Sequence, residues 1–506
     1  MKANIIAMVL ASFGSSCNSP EQNVTDPPNI VIVLADDLGY GDPGVYNPDS
    51  KIPTPHIDQL AKEGMRFTDA HTPSSVCTPT RYGLLTGRYA WRTALKSSVL
   101  WAWDKPLIKK NRHTLPKMLK KKGYATACIG KWHLGWQWPS NLDKGFVNDS
   151  IKIGNYGLKG RHQLWKKIDF SKPLGGGPLA VGFDYYFGDD VPNFAPYTFF
   201  ENQSLLQIPD TVKPDSVYGG PGPMAKGWQL ENVMPKITTK AVHYIEEQSQ
   251  KENPFFLYFA LTAPHTPIAP TNDFKGKSGA GAYGDFVHEV DWSVGQVVEA
   301  LKRTGQFKNT LFIFTSDNGS PQRNGERMGG PIASVKTYGH DPSKPWRGMK
   351  ADIWEGGHRV PFIASWPKQI KSNKISHQLV CLTDIISSVA AILGIQPNEK
   401  AMEDSYDISP ILFGTDEPVR EDVIHHSIDG TFAIRKGHWK LILGKDSGGF
   451  SRGLKINGIP VQTEGQLYNL AEDPSEKTNR YADFPEKVTE LTTLLNQYKN
   501  RGNSHQ

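Results

Sequence analysis

The chain has 506 residues, of which 38% are hydrophobic and 21% charged, which is enough apolar material for a core and excludes wholesale disorder. Its 57 Lys and Arg against 51 Asp and Glu leave a formal charge of +6. This is mild for the length and comes with no long basic block, so nucleic-acid binding is not indicated.

Residues 1–17, MKANIIAMVLASFGSSC, carry Lys2, a short apolar stretch from Ile5 to Phe13, small residues Gly14-Ser15-Ser16, and then Cys17. This is the layout of an export signal. A Cys just after the small residues resembles a bacterial lipoprotein signal, which would put a lipid anchor on Cys17, although Gly14 stands where Leu is more usual. Residues 18–28 are polar and contain Pro, and read as a tether. No later apolar run reaches the ~18 residues of a membrane helix. The expected location is therefore exported, periplasmic or at the cell surface.

Five short apolar runs read as strands: Ile30–Leu34, Tyr124–Ile129, Phe255–Leu261, Leu311–Phe314 and Pro361–Ser365. Helical patterns lie between them. Thr114–Lys122 has Leu115, Met118 and Leu119 and stops at Gly123. Asp285–Gln306 places Phe286, Val287, Val290, Val294, Val297, Val298 and Leu301 at spacings of threes and fours. Asp384–Leu393 ends before Gly394. Apolar strands alternating with helices predict an α/β fold, a large and mostly parallel sheet sandwiched by helices. Residues 141–235 show little periodicity and read as loop insertions over one end of that sheet. They hold Trp165, Tyr185, Tyr186, Phe187, Asn193 and Tyr197, while Trp101, Trp103 and Trp136 lie in other loops. Such aromatics either stack on sugar rings or anchor loops. From Glu417 the pattern changes to short antiparallel strands, Thr431–Ile434, Trp439–Leu443 and residues 465–470, with a last helix over Glu486–Tyr498. The predicted organisation is a signal over 1–17, a tether over 18–28, a large α/β domain over 29–416 and a C-terminal α+β subdomain over 417–506.

The polar residues stand where the strands end. Ile30–Leu34 runs into Asp36-Asp37, Leu311–Phe314 into Asp317-Asn318-Gly319, Tyr124–Ile129 into Lys131 and His133, and Phe255–Leu261 into His265. Sites of open α/β sheets form at the carboxyl ends of the strands, so these ends can converge. Asp36, Asp37, Asp317 and Asn318 offer only oxygen ligands, which suit a hard cation such as Ca²⁺ or Mg²⁺. Each pair taken alone is also a common turn or cap. Of the four cysteines, Cys128 and Cys381 lie in apolar runs and read as core thiols; four in so long a chain form no disulfide framework. Cys77, among Ser, Thr and Pro in SSVCTPTRYGLLTGR, is a candidate functional residue.

Cys77-Thr78-Pro79-Thr80-Arg81 with Gly83-Leu84-Leu85-Thr86-Gly87-Arg88 resembles the signature of the type I sulfatases, members of the alkaline phosphatase superfamily. Asp36-Asp37 with Gly39 resembles that family's first metal pair and Asp317-Asn318-Gly319 its second. Gly130-Lys131-Trp132-His133-Leu134-Gly135, Ala263-Pro264-His265 and Arg347-Gly348-Met349-Lys350 match further family motifs, and Leu467-Tyr468-Asn469-Leu470 with Asp473-Pro474 resembles its C-terminal domain. The resemblance implies an alkaline phosphatase-like fold and an exported sulfuric ester hydrolase in which a formylglycine-generating or anaerobic sulfatase-maturing enzyme converts Cys77 to Cα-formylglycine. The hydrated residue is the nucleophile, and its second hydroxyl expels sulfate. Metal ligands implied are Asp36, Asp37, Cys77, Asp317 and Asn318. By the same resemblance Arg81 would steady the nucleophile and a metal carboxylate, Lys131 and Lys350 would hold sulfate oxygens, His133 would take the release proton, and His265 would contact the sulfate and protonate the leaving oxygen, alone or together with Lys350. The substrate implied is a sulfated polysaccharide or oligosaccharide, with a 6-O-sulfated galactose or N-acetylgalactosamine as first choice. The alternatives are a phosphonate or phosphate ester hydrolase of the same superfamily, and an inactive surface carbohydrate-binding relative.

Overall fold

Asn29–Asp36 (β1) is buried along its whole length, as an apolar strand covered on both faces should be. In this computed structural model, which describes residues 26–140, 161–396, 401–453 and 464–505, β1 lies at the centre of a ten-stranded sheet. The other strands are Met65–Phe67 (β2), Ala125–Gly130 (β3), Tyr185–Gly188 (β4), Phe200–Glu201 (β5), Ser204–Leu205 (β6), Phe255–Pro264 (β7), Thr310–Ser316 (β8), Phe362–Ser365 (β9) and Lys374–Ser376 (β10). Their order is β10-β2-β9-β8-β1-β7-β3-β4-β5-β6. The five central strands, β8 to β4, run parallel. β9 and β5 pair antiparallel with them at either side.

The period of two along β1 divides the core. Ile30, Ile32 and Leu34 face Cys77–Thr86 (α2), Leu115–Lys121 (α3) and Ile385–Ile392 (α6). Val31 and Val33 face Pro55–Lys62 (α1), Val233–Gln248 (α4) and Gly281–Arg303 (α5). Register does the rest: Ala35 lies opposite Ser316, Asp36 opposite Pro264, and Ala260 opposite Gly130. The strands thus end at one level, and the residues that follow them meet.

Near the C-terminus, Asp422–His426 (β11), Phe432–Lys436 (β12), Trp439–Ile442 (β13) and Gln466–Asn469 (β14) form an antiparallel sheet. Pro485–Arg501 (α7) packs on one face through Leu491 and Leu495, and Ile353 and Trp354 pack on the other. A buried polar layer joins this sheet to the larger one. Lys440 Nζ reaches Glu355 at 3.0 Å and Glu476 at 2.8 Å, and Arg435 reaches Asp69 at 2.8 Å. Beside them His71, His358 and His425 cluster, the last two stacked with ring centroids 3.8 Å apart.

The predicted α/β class with a small antiparallel C-terminal sheet is the one observed. Cys128 and Cys381 are buried free thiols, as expected. The 141–235 stretch differs from its reading as loops alone, because it supplies β4, β5 and β6. Strands of two to four residues are too short to show a period. β11 was also not anticipated: its His425 and His426 are buried, and histidine does not mark a core strand. Residues 1–17 with Cys17, most of the tether, and residues 141–160 lie outside the described residues. Among the described residues no helix is long and apolar enough to cross a membrane.

Lys440→Ala would leave Glu355 and Glu476 buried together without their shared cation. Losing one partner of a buried pair costs about 3–5 kcal/mol, so the thermal midpoint should fall by several degrees. Lys436→Ala, at an exposed pair 4.0 Å long, should leave it unchanged in the same calorimetric scan.

Candidate active site

Cys77 is the first residue of α2, whose ten residues are all buried. Val76 before it is extended and offers no side-chain cap, so the first amides of the helix are left facing the strand ends. Gly87, at φ 63°, closes the helix in the left-handed conformation. The thiol Sγ lies 3.7 Å from Asp36 Oδ1, 4.0 Å from Asp37 Oδ1 and 3.6 Å from Lys350 Nζ.

Three carboxylates and three cations surround it. Lys131 Nζ meets Asp36 at 2.7 and 2.9 Å. Lys350 Nζ meets Asp37 at 2.6 Å. Arg81 gives Nη2 at 2.7 Å and Nε at 3.0 Å to Asp317 Oδ2, and Nη2 also lies 3.4 Å from Asp36. The other Asp317 oxygen accepts the Asp37 amide at 3.1 Å. Burial opposes an ionised Asp37, yet His265 and Lys350 outweigh it and hold the carboxyl below its usual range. Burial raises Asp317, with Arg81 opposing. Burial, seconded by Asp317, pushes the Cys77 thiol far above neutrality.

Backbone conformation at the site is forced. Asp37 and His133 are non-glycine residues at φ 69° and 53°, a strain that clusters at functional sites. A Cβ on Gly319 would sit 1.9 Å from the Gly356 carbonyl oxygen, so only glycine can follow Asn318 there.

The two histidines stand differently. His265 Nδ1 pairs with the Thr266 carbonyl, which leaves Nε2 facing Asp37 at 3.7 Å. The His133 ring hydrogen-bonds the Leu100 carbonyl through Nε2 at 2.8 Å, and its Nδ1 is buried without a partner. Burial depresses both imidazoles well below their ordinary range. With the Nε2 proton committed to a carbonyl, His133 Nδ1 carries a lone pair.

Two features of the cluster fit a hard divalent cation. Ligand atoms of Asp36, Asp37, Cys77 and His265 lie within 4.8 Å of one another. Asn318 donates Nδ2 to Asp37 at 2.7 Å, while its Oδ1 is buried with no partner, and a lone oxygen acceptor of that kind suits a cation.

The structure therefore brings Asp36, Asp37, Cys77, Arg81, Lys131, His133, His265, Asp317, Asn318 and Lys350 to one end of the sheet. Lys350 arrives from a loop, held by its amide on the Ser320 carbonyl at 2.9 Å. Most of the aromatics considered for sugar stacking are core residues: Trp103, Trp136, Tyr186, Phe187 and Tyr197 are buried. Trp101 is half-buried against Phe194, which in turn edges the His133 ring. Asp189 and Asp190 also belong to the site and are not among the residues expected from the sequence. Asp190 accepts the His133 amide at 3.2 Å. Both oxygens of Asp189 are buried without a partner, and burial pushes this carboxyl up to about 7 against the pull of Lys131. Their signal was the one used elsewhere, an apolar run ending in Asp-Asp, but Tyr185–Gly188 had not been read as a strand.

A family model described as Sulfatase matches residues 28–395. The chain is 34% identical over 512 residues to the N-acetylgalactosamine-6-O-sulfatase of Bacteroides thetaiotaomicron, covering 94% of this chain and 93% of that protein. It is 30% identical to human arylsulfatase A, covering 94% and 87%. A solved structure, BT33336S-sulf, from work on the metabolism of multiple glycosaminoglycans by Bacteroides thetaiotaomicron, superposes with a TM-score of 0.79 at 31% identity, covering 94% of this chain and all of that one. The PsFucS1 sulfatase from Pseudoalteromonas sp. superposes with a TM-score of 0.69 at 26% identity, covering 94% and 90%.

Arg81→Leu would leave the three carboxylates facing two cations. In chelator the thermal midpoint should fall, by the about 3–5 kcal/mol of a broken buried pair, and millimolar Ca²⁺ should restore much of it by binding the folded state. A midpoint indifferent to Ca²⁺ in both proteins would speak against a cation site there.

Proposed function

The chain belongs to the sulfatase family and is a sulfuric ester hydrolase, and on that footing we propose that it removes 6-O-sulfate from galactose or N-acetylgalactosamine units of a sulfated poly- or oligosaccharide, using a formylglycine at position 77 and one Ca²⁺. The observation that carries the mechanism is Cys77 itself, buried at the first turn of α2 between Asp36, Asp37 and Lys350. A thiol pushed that far above neutrality is a poor nucleophile as it stands, whereas a hydrated aldehyde at the same carbon carries two hydroxyls, one to attack sulfur and one to expel sulfate.

Asp36, Asp37, Asp317, Asn318 and residue 77 would hold the cation. When bound, it lowers the pKa of the hydroxyl at residue 77 and screens the charge of the ester. The charges then balance: three carboxylates against three side-chain cations is neutral, and a divalent ion adds what an ionised nucleophile and a sulfate monoester take away. Arg81 fixes Asp317 with two donors, Nε and Nη2, that converge on Oδ2, a fork lysine cannot supply. Lys131 and Lys350 present ammonium groups to the sulfate oxygens. His133 accepts the release proton at Nδ1. His265 must first take up a proton at Nε2, which burial opposes and Asp37 favours, and it then gives that proton to the departing sugar oxygen.

Support for the sugar comes from the relatives, whose names include N-acetylgalactosamine-6-sulfatases of bacterial and mammalian origin. Asp189, open-handed beside Lys131, is suited to accept a ring hydroxyl next to the sulfate, and Trp101 with Phe194 to bound the ring. Export, with a lipid on Cys17, and maturation by a formylglycine-forming enzyme complete the proposal.

Cys77→Ala is expected to abolish release of sulfate, and mass spectrometry of the peptide spanning residue 77 in active protein should show an aldehyde in place of the thiol. An intact thiol in fully active protein sinks the mechanism. Asp189→Asn should raise KM for a 6-O-sulfated sugar about tenfold, the worth of about one hydrogen bond, yet leave 4-nitrophenyl sulfate turnover nearly unchanged. Equal losses on both substrates would remove Asp189 from sugar recognition. 4-Nitrophenyl sulfate should be hydrolysed faster than 4-nitrophenyl phosphate.

A further inference from the structure

The amino ends of the parallel strands form the face opposite the active site, and this face holds unpaired lysines. Lys62 ends α1, Lys121 ends α3, Lys251 precedes β7, Lys308 precedes β8, and Lys371 and Lys374 follow β9. All six are exposed, and none makes an ion pair among the described residues. The neighbouring acids are largely matched already: Glu63 by Lys302 at 3.2 Å, Asp26 by Lys368 at 2.8 Å, Glu246 by Arg303 and Asp184 by Lys120. Glu247, Glu252 and Glu299 make no ion pair among the described residues. Sheet order spreads the lysines on both sides of β1, and Lys302, Lys308, Lys368 and Lys371 line one groove. Basic residues complement helix C-termini, which accounts for the ends of α1 and α3 but not for Lys251, Lys308, Lys371 or Lys374.

The same face is where the N-terminal segment joins the fold. Asp26 Oδ2 contacts Lys368 and the Asn309 amide, which sets Asp26 among the lysines of this face. From Asn29 to Asp36 the strand rises about 3.3 Å per residue, which sets the active site roughly 23 Å away at the far end. We propose that this face docks on a membrane surface rich in acidic phospholipid headgroups, with the active site turned toward the medium. It rests on the exported, tethered reading for its setting, but the lysines act whether or not Cys17 is lipidated. Each lysine near such a surface adds to the attraction, which falls off within a Debye length.

The test uses the full chain carrying Cys17→Ser, so that no lipid contributes, floated with vesicles of phosphatidylcholine alone or with phosphatidylglycerol added. Binding should be at least tenfold stronger to the acidic vesicles and should vanish in high salt. The variant K121E/K251E/K308E/K371E in the same chain should lose that preference while its hydrolysis of a soluble sulfate ester is unchanged. Equal binding to both vesicle types, or a variant that still prefers acidic vesicles, overturns the proposal. So does lysine-dependent capture by immobilised chondroitin sulfate in preference to acidic vesicles, which would make the face a glycan-binding surface. Loss of hydrolysis in Cys77→Ala bears on the proposed reaction alone and leaves this outcome untouched.

Discussion

Three buried carboxylates set against three buried cations are the constraint on which the site depends. Asp36, Asp37 and Asp317 are fully or almost fully buried, as are Arg81 and Lys131, and Lys350 is only 7% exposed. An isolated ionised group in such surroundings costs several kcal/mol, so none of the six tolerates the loss of its partner. The pairing is not one-to-one. Arg81 spans Asp317 and Asp36, and Lys350 touches both Asp37 and the thiol. Residue 77 is therefore held in a field whose sum is near zero but whose local gradients are steep. That is a setting in which a bound ion and an anionic ester act strongly on a single side chain.

The sheet makes this crowding possible. Parallel strands of matched register deliver Asp36, Lys131, His265 and Asp317 to one level, and the apolar runs behind them supply the burial that keeps water away. The price is conformational strain at Asp37 and His133, together with a glycine after Asn318 that no other residue can replace.

The C-terminal sheet takes part in the site indirectly. The His426 carbonyl accepts the Ser75 amide just before Cys77, Ser75 in turn accepts the Ala351 amide, and the Ser447 carbonyl accepts that of Ile353. The start of α2 is thus held by this small sheet and the loop bearing Lys350 by the segment that follows β13, and the Lys440–Glu355–Glu476 layer holds the sheet in place. A unit with no residue among the charged groups around Cys77 nevertheless fixes where two of its elements lie.

The central strands, the long helices and most of the cluster were legible along the chain, because a buried parallel strand must be continuously apolar and whatever follows it stands out. Asp36-Asp37, Lys131 and Asp317 announce themselves in this way. Lys350 does not, since no strand precedes it and only a motif resemblance singled it out. Asp189 escaped because a four-residue strand carries too little periodicity to be seen. The partners of the charges, the left-handed turns at Asp37 and His133, the burial of aromatics that looked suited to sugar, and the gathering of lysines on the far face belong to the tertiary structure. Sequence records which residues can bear charge or hide from water, whereas pairing and burial depend on neighbours hundreds of residues apart that only strand register and helix packing bring together.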